Sequence, residues 1–299
     1  MTRPLCRIAL LPVALFVASV VPAEVAQAES DARQCAPAGS LVQLPGLPEA
    51  SGLAASLRTP GRLWTHNDSG QPVIAAIDGS GAVTGQVRVT GAKVEDWEAI
   101  AVGPCESGSC VYIGDIGDND ARRKRVSVYR VPEPEDANGT AAVSEVLHAT
   151  YPDGAHDAET LFFANGRLYI VTKGDAGSAA IYRFPAVLRG GTTLQLERVG
   201  GSQSTPGDDA RITDGSVSPD GQWVVLRSRS SLTFYRSADL LSGQWRAVST
   251  VGVTSLKEPQ GEGVEFGADD TVYLVGEGGG KGRAGTFTRL ACTPAATMR

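Results

Sequence analysis

The chain is predicted to be an all-β protein, a β-propeller of five four-stranded blades, with six as the alternative. Three observations carry this. A pair of short strands with polar ends recurs five times, its first strands aligning on Leu53, Ile100, Leu161, Val217 and Val264, steps of 47, 61, 56 and 47 residues. Repeats of this length built only from short strands indicate propeller blades. Apart from the N-terminal leader, no segment places apolar residues at helical spacing. Finally, 36 Gly and 17 Pro suit a chain made of many tight turns.

The first element is a leader. Arg3 and Arg7 precede an apolar run from Ile8 to Val21, and Ala26-Gln27-Ala28 offers a small-residue cleavage site. Residues 1–28 are therefore expected to be a signal peptide and 29–299 a single propeller domain, secreted to the extracellular side. The apolar run is too short for a spanning helix, and no membrane span is expected in the mature chain. Removal of the leader leaves 25 basic and 32 acidic residues, a net charge of −7. Mild acidity argues against a nucleic-acid partner, since phosphate backbones favour basic surfaces.

Each repeat yields strands by alternation and β-branched content. The second reads EAIAVG, VYIGDI, VSVYRV and VLHATY, and the third ETLFFA, RLYIVT, AIYRFP and TLQLERV. The final repeat has only three strands, which predicts that SLVQL near the N-terminus completes its blade beside TFTRL. A sixth blade would need about 40 residues, and the wide steps are accounted for by loops at Pro132–Val143 and Gly200–Arg211. Export makes disulfides the default for four cysteines. Cys105 and Cys110 bracket a hairpin mouth, and Cys35 and Cys292 would staple the closed ring.

In a propeller the start of each first strand and the end of the second reach one face. Strand starts supply Glu49, Asp96, Glu98, Asp157, Glu159, Asp214 and Glu262. Strand ends supply His66, Asn67, Asp68, Asp115, Asp118, Asn119, Lys173, Asp175, Arg227 and Glu277. Carboxylates converging on a narrow axis repel one another and demand a counter-charge. Hard oxygen donors without thiols suit Ca²⁺, with Asn67, Asp68, Asp96, Glu98, Asp157, Glu159 and Glu262 as candidate ligands. His66 and His156 are candidate acid–base groups, and Lys173 and Arg227 candidate catalytic cations. No GxSxG nucleophile elbow is present.

The segments LWTHNDSG, DWEAIA, YIGDIGDN, ITDGSVSPDG and QGEGVEF resemble secreted bacterial propellers of the phytase-like, esterase-like kind, across nearly the whole mature chain. More remotely they resemble calcium-dependent phosphotriesterase and lactonase propellers. The resemblance implies an axial calcium held by Asn67, Asp68, Asp96, Glu98, Asp157, Glu159 and Glu262. The fourth repeat departs from it, offering Thr213-Asp214-Gly215 in place of an acidic pair. Five blades around a calcium also resemble secreted calcium-activated nucleotidases, which makes Lys173, Arg227 and Arg229 phosphate-binding cations. Two functions follow: a calcium-dependent hydrolase of phosphoesters, lactones or small esters, or a binding propeller for an envelope, peptide or sugar ligand. A monomer is expected in either case. N-terminal sequencing of the exported protein should start at Glu29; a first residue of Met1 would remove the leader assignment.

Overall fold

The computed structural model describes residues 32–174, 178–202 and 211–294; the leader, Asp175 and most of the Gly200–Arg211 loop lie outside them. Two short N-terminal strands come first, β1 (Arg33–Pro37) and β2 (Val42–Leu44). The first blade begins with β3 (Ala50–Ala55), β4 (Arg62–Asn67), β5 (Val73–Asp78) and β6 (Val83–Thr90). The second holds β7 (Trp97–Pro104), β8 (Ser109–Asp115) and β9 (Val126–Pro132), then, beyond β10 (Gly139–Ala142), β11 (Glu145–Thr150). The third holds β12 (Ala158–Ala164), β13 (Arg167–Thr172) and β14 (Ala180–Arg183), then, beyond β15 (Thr193–Gln195), β16 (Glu197–Gly201). The fourth is β17 (Ile212–Val217), β18 (Trp223–Ser228), β19 (Ser231–Arg236) and β20 (Ala247–Gly252). The fifth is β21 (Gln260–Phe266), β22 (Thr271–Glu277) and β23 (Gly285–Pro294).

These strands form five sheets. Their first strands touch in closed succession, β3 to β7 to β12 to β17 to β21 and back to β3. The molecule is a five-bladed β-propeller. Its apolar core is divided accordingly into five clusters, one between each pair of successive blades. Trp64, Trp97 and Ile113 fill the first gap, for example, and Phe234, Phe266 and Leu274 the fourth. Alternation along each strand produces this, because both faces of a blade pack against a neighbour.

The ring closes where the N-terminus was expected to close it, but with two strands instead of one. SLVQL supplies β2, which pairs with β23 at Val42↔Phe287, and β1 extends the pairing along the same strand from Arg33↔Pro294 to Pro37↔Leu290. Cys35 and Cys292 are direct register partners and are bridged, as are Cys105 and Cys110.

Three sequence assignments need correction. TLQLERV is not one strand of the third blade: β15 pairs in parallel with β11 of the second, and β16 completes the third. The Pro132–Val143 loop contains β10, which pairs in parallel with β6 of the first blade. The outer edges of the first two blades are thus each covered by a strand from the blade that follows, which removes an exposed pairing template. Alternation reports which residues are half-buried and cannot say which sheet a strand joins. The third correction concerns the fourth repeat. Its register places Gly215, not Val217, opposite the position held by Ile100 and Leu161, because Gly215 pairs Leu226 as Ile100 pairs Ile113.

The bridge between Cys35 and Cys292 spans 257 residues of sequence and that between Cys105 and Cys110 only 5. Loop-closure entropy therefore predicts that replacing Cys35 and Cys292 by Ser costs about 3–5 kcal/mol, and replacing Cys105 and Cys110 about 2. Urea unfolding of the two double variants checks the order; an equal or reversed ranking contradicts ring closure as the source.

Candidate functional site

The inner strands share one irregularity. On each of them the register against the second strand slips by one residue, between Ala50 and Leu53, Trp97 and Ala99, Ala158 and Thr160, Ile212 and Asp214, and Gly261 and Val264. A β-bulge re-aims the inserted side chain. The residues so placed are Ser51, Glu98, Glu159, Thr213 and Glu262. They meet across blades: Ser51 Oγ lies 3.3 Å from Glu98 Oε2 and donates to the Glu98 carbonyl at 3.2 Å, and Thr213 Oγ1 donates to the Glu262 carbonyl at 2.9 Å.

The inner strands approach within backbone contact. A Cβ on Gly263 would sit 2.3 Å from the Ser51 carbonyl oxygen, and one on Gly52 would sit 2.7 Å from the Ile100 nitrogen. Glycine is required at both, for want of space.

Second-strand ends complete the mouth. The Lys173 amide donates to the Asp157 carbonyl at 3.0 Å, and the Asp68 amide to the Glu49 carbonyl at 3.1 Å, so starts and ends share one face. The same ends tie successive blades, since the Trp97 amide donates to Asp68 O and the Ile212 amide to Lys173 O. The Lys173 ammonium is 3.4 Å from Asp157 Oδ2 and pairs closely with Glu159. Gln260 Nε2 bridges Glu262 and Glu277, each at 2.7 Å.

Electrostatics follow from this crowding. Burial, then the Glu159 and Asp96 charges, holds the Glu98 carboxyl well above its usual range. Burial and Glu262 do the same to Glu159, against the pull of Lys173. Burial also raises Glu262 and Asp96, with Asp157 adding to the latter. Asp68 is pushed up to about 7 by burial and by Glu49, and Glu277 to about 7 by burial and by Glu262. Burial works against the charge of Lys173, but Glu159 and Asp157 raise its pKa above the ordinary value. The mouth holds more carboxylates than cations.

The structure brings together Asp68, Asp96, Glu98, Asp157, Glu159, Glu262 and Lys173 of the expected residues. Asn67 stands at the rim, where its Oδ1 accepts from the Glu49 amide at 3.1 Å. The other three expected residues lie elsewhere. His66 is fully buried, edge-on to Trp97 at 5.8 Å; burial lowers its pKa to about 4, so it is a neutral core ring. Its Nδ1 faces the Asn67 carbonyl at 3.0 Å, which can only accept, so the proton resides on Nδ1. Arg227 is 0 % exposed and clasps the fifth blade, donating to Gly263 O at 2.6 Å, Val275 O at 2.8 Å and Glu258 Oε2 at 2.6 Å. It is a joint between blades, and from behind the mouth its charge still bears on Glu262. His156 lies in a cavity between the second and third blades.

Glu277 and Glu49 were legible as strand-end and strand-start acids of the shared face, though not among the candidate ligands. Gln260, Ser51 and Thr213 gave no signal of their own, because only the bulge register equates Ser51 and Thr213 with Glu98. Asp214 turns away from the mouth's acids: its Oδ2 accepts from the Val264 amide at 2.8 Å, and it is buried.

Among the described residues no three acidic, histidine or cysteine side chains are grouped so as to hold a metal ion. The donors nevertheless suit a hard cation. They are carboxylate oxygens in excess of cations, and Asp157 Oδ2 and Asp68 Oδ1 are buried without a hydrogen bond.

Fold and mouth together define a class, the five-bladed propeller with an acidic axial centre. No protein-family model and no curated protein sequence matches the chain. Among solved structures it is similar to the PQQ-bound aldose sugar dehydrogenase of Streptomyces coelicolor, with TM-score 0.53 and 13 % identity over 88 % of this chain and 99 % of that one. It is also similar to a putative glucose dehydrogenase of Thermus thermophilus (TM-score 0.49, 12 % identity, 86 % of this chain and 99 % of that one). A Xanthomonas campestris gluconolactonase matches with TM-score 0.46 and 16 % identity over 92 % of this chain and 94 % of that one. At such identities the likeness is one of fold alone.

The raised carboxyls fix the sign of a pH effect. Asp68 and Glu277 hold protons up to about pH 7 when folded, whereas the unfolded chain releases them near 3.8 and 4.5. Between those values the native state binds more protons, so the mouth's contribution to stability falls as pH rises towards 7 and levels off above it. The Asp68→Asn, Glu277→Gln double variant should lose less stability than the parent between pH 5 and pH 8 in urea titrations. An equal loss would show that these carboxyls are not perturbed.

Proposed function

We propose that the axial mouth is a calcium centre and that the chain is an exported, monomeric hydrolase of small esters or lactones. The observation that carries this reading is the convergence of Asp68, Asp96, Glu98, Asp157, Glu159, Glu262 and Glu277 around the ammonium of Lys173, with carboxyl pKa values driven upward first by burial and then by one another's charge. A divalent cation relieves such repulsion, and oxygen donors of this kind match Ca²⁺. Asp96, Glu98, Asp157, Glu159 and Glu262 would hold it, with Asp68 and Asn67 on the rim. When bound, the ion would supply Lewis-acid polarisation of a substrate oxygen.

The chain's own residues supply the rest. Glu277, pushed up to about 7, can exchange a proton at neutral pH, which suits general acid–base work. Lys173, held charged by Glu159 and Asp157, can orient an anionic group or release those carboxylates to a stronger cation. Arg227 is committed to its clasp, while the charge of Arg229 bears on Glu262 and Glu277, so a phosphoester is tested beside carboxylic esters and lactones. Export is supported by the leader in the sequence and by two disulfides, which persist in oxidising compartments.

A second reading has its own observation. Lys173 already sits among the carboxylates as a built-in counter-ion. On that reading the chain is a binding propeller for a small-molecule or envelope ligand, and calcium only ties the blades.

Millimolar Ca²⁺ should raise the melting temperature, the stabilisation being about 2.7 kcal/mol at a hundredfold excess over Kd. Glu98→Gln or Glu159→Gln should shrink that rise. An unchanged melting temperature in chelator, with no metal by elemental analysis, ends the calcium reading. The loaded protein should then be assayed on p-nitrophenyl acetate, a γ-lactone and p-nitrophenyl phosphate. Turnover of the first two that is lost in chelator supports the hydrolase, and inactivity on all three leaves the binding propeller.

A further inference from the structure

Away from the axis, a cavity of about 760 Å³ lies where the link between the first two blades passes the β8–β9 turn and the outer strands of the second blade. Its size is that of a small-molecule site. Past Arg125 and His148 it runs on into a further hollow of about 490 Å³. The buried Tyr129 and the half-buried Val146 give it an apolar wall. His148 and Ser127 are register partners on β11 and β9, with Nδ1 and Oγ 3.0 Å apart. Burial, then the Arg125 charge, lowers the His148 pKa, so the ring is neutral at pH 7.

The charge of this cavity is one-sided. Lys93, Arg123, Lys124 and Arg125 line it against Glu95 and Asp115. One guanidinium meets both acids: Arg123 lies 2.9 Å from Asp115 Oδ1 and 3.3 Å from Glu95 Oε2. In the adjoining hollow Glu145 pairs closely with Arg130 and accepts the Gly190 amide at 2.6 Å. Lys93, Lys124 and Arg125 have no ion-pair partner among the described residues, although the chain has 33 acidic residues against 27 basic ones. A basic run such as RRKR is ordinarily a solvated loop. This one is fastened. Asp118 accepts the amides of Arg122 and Arg123 at 2.9 and 2.7 Å, and the Ala121 amide donates to the Asp118 carbonyl at 2.7 Å. Lys93 stands on a second fastened turn, where its carbonyl accepts from Trp97 Nε1 at 2.8 Å.

We infer that this cavity binds a small organic anion whose phosphate or carboxylate oxygens face Lys93, Lys124 and Arg125 and whose carbon body lies on Tyr129 and Val146. A guanidinium offers paired donors to an oxoanion, and the two ammoniums add point charges. Ser127 and His148 supply neutral hydrogen-bonding groups beside them. The excess of carboxylates in the axial mouth repels the same ligand, so charge separates the two sites. Arg123 links them: it pairs with Asp115 in the cavity, and its charge bears on Asp96 in the mouth. The inference does not rest on the calcium or hydrolase reading.

Calorimetric titration at low ionic strength tests it, on protein stripped of metal and then dialysed free of chelator. The probes are phenyl phosphate and benzoate, with benzyl alcohol and benzylamine as neutral and cationic controls. At least one anion should bind with a Kd of about 1 mM or below, and both controls should bind more weakly. The tighter of the two anions identifies the oxoanion. Raising the salt to about 0.5 M should weaken binding severalfold, because exposed charges are screened. Lys124→Ala and Arg125→Ala should each weaken it about fivefold. Lys281→Ala, which removes an exposed cation elsewhere, should leave it unchanged. All three side chains are exposed, and an unchanged melting temperature checks that each variant folds. No anion binding at about 20 mM, where a millimolar site is nearly saturated, overturns the inference. So does a control that binds as tightly as the anions, an equal loss in Lys281→Ala, or binding that survives removal of both Lys124 and Arg125.

Discussion

Five inner strands crowded about one axis set the terms for everything else in this molecule. With so few blades the strands meet at backbone distance, and Gly263 against the Ser51 carbonyl leaves no room for a side chain. The bulge at the head of each strand is the structural response. It steps one residue out of the ladder and gathers Ser51, Glu98, Glu159, Thr213 and Glu262 at one level. Three are acids, and adjoining turns add more. Repulsion in such a cluster is a cost that the fold must offset. Lys173 offsets part of it, and proton uptake by the raised carboxyls offsets another part. A divalent cation would answer the remainder.

Arg227 shows a different solution to a neighbouring problem. Its guanidinium is removed from water but satisfied by two carbonyls and the Glu258 carboxylate. A buried charge paired with a carboxylate and two carbonyls locks the fourth blade to the fifth, although its Nε is left without a partner, whereas a charge left single would be strongly destabilising. The mouth is built the opposite way. Its carboxylates are only partly matched, which is a poor arrangement for stability alone and a useful one for binding. The perturbed groups at Asp68 and Glu277 belong to this side of the balance.

The axial cluster lies beside a cavity between the second and third blades. The cluster is rich in carboxylates, and the described lining of the cavity carries Asp118, Asp120, Asp153 and Asp157 with Arg198. Asp157 belongs to both, with one oxygen on the Asp118 amide and the other towards Lys173.

The sequence by itself determined the blade number, the closure of the ring and both disulfides, because each follows from local pattern. Strand alternation reports burial, turn residues mark strand ends, and cysteine placement at the two ends of the repeat array leaves one sensible pairing. It also placed the acids of the mouth, since strand starts and strand ends must share a face in any propeller. What it could not decide were relations between residues far apart in the chain. His66 reads as a turn histidine in THNDSG, yet neighbouring blades bury it against Trp97. Arg227 has the position of a rim cation, yet Gly263 and Val275 draw it into a joint. Tyr182 in AIYRF has the look of a core residue in an alternating strand. Only the packing of the third blade against the turn at Asp153 gives its hydroxyl two partners. Likewise β10 and β15 are ordinary strand text, and their sheet is chosen by which blade edge lies open. Periodicity records whether a residue is buried; tertiary structure alone decides against what.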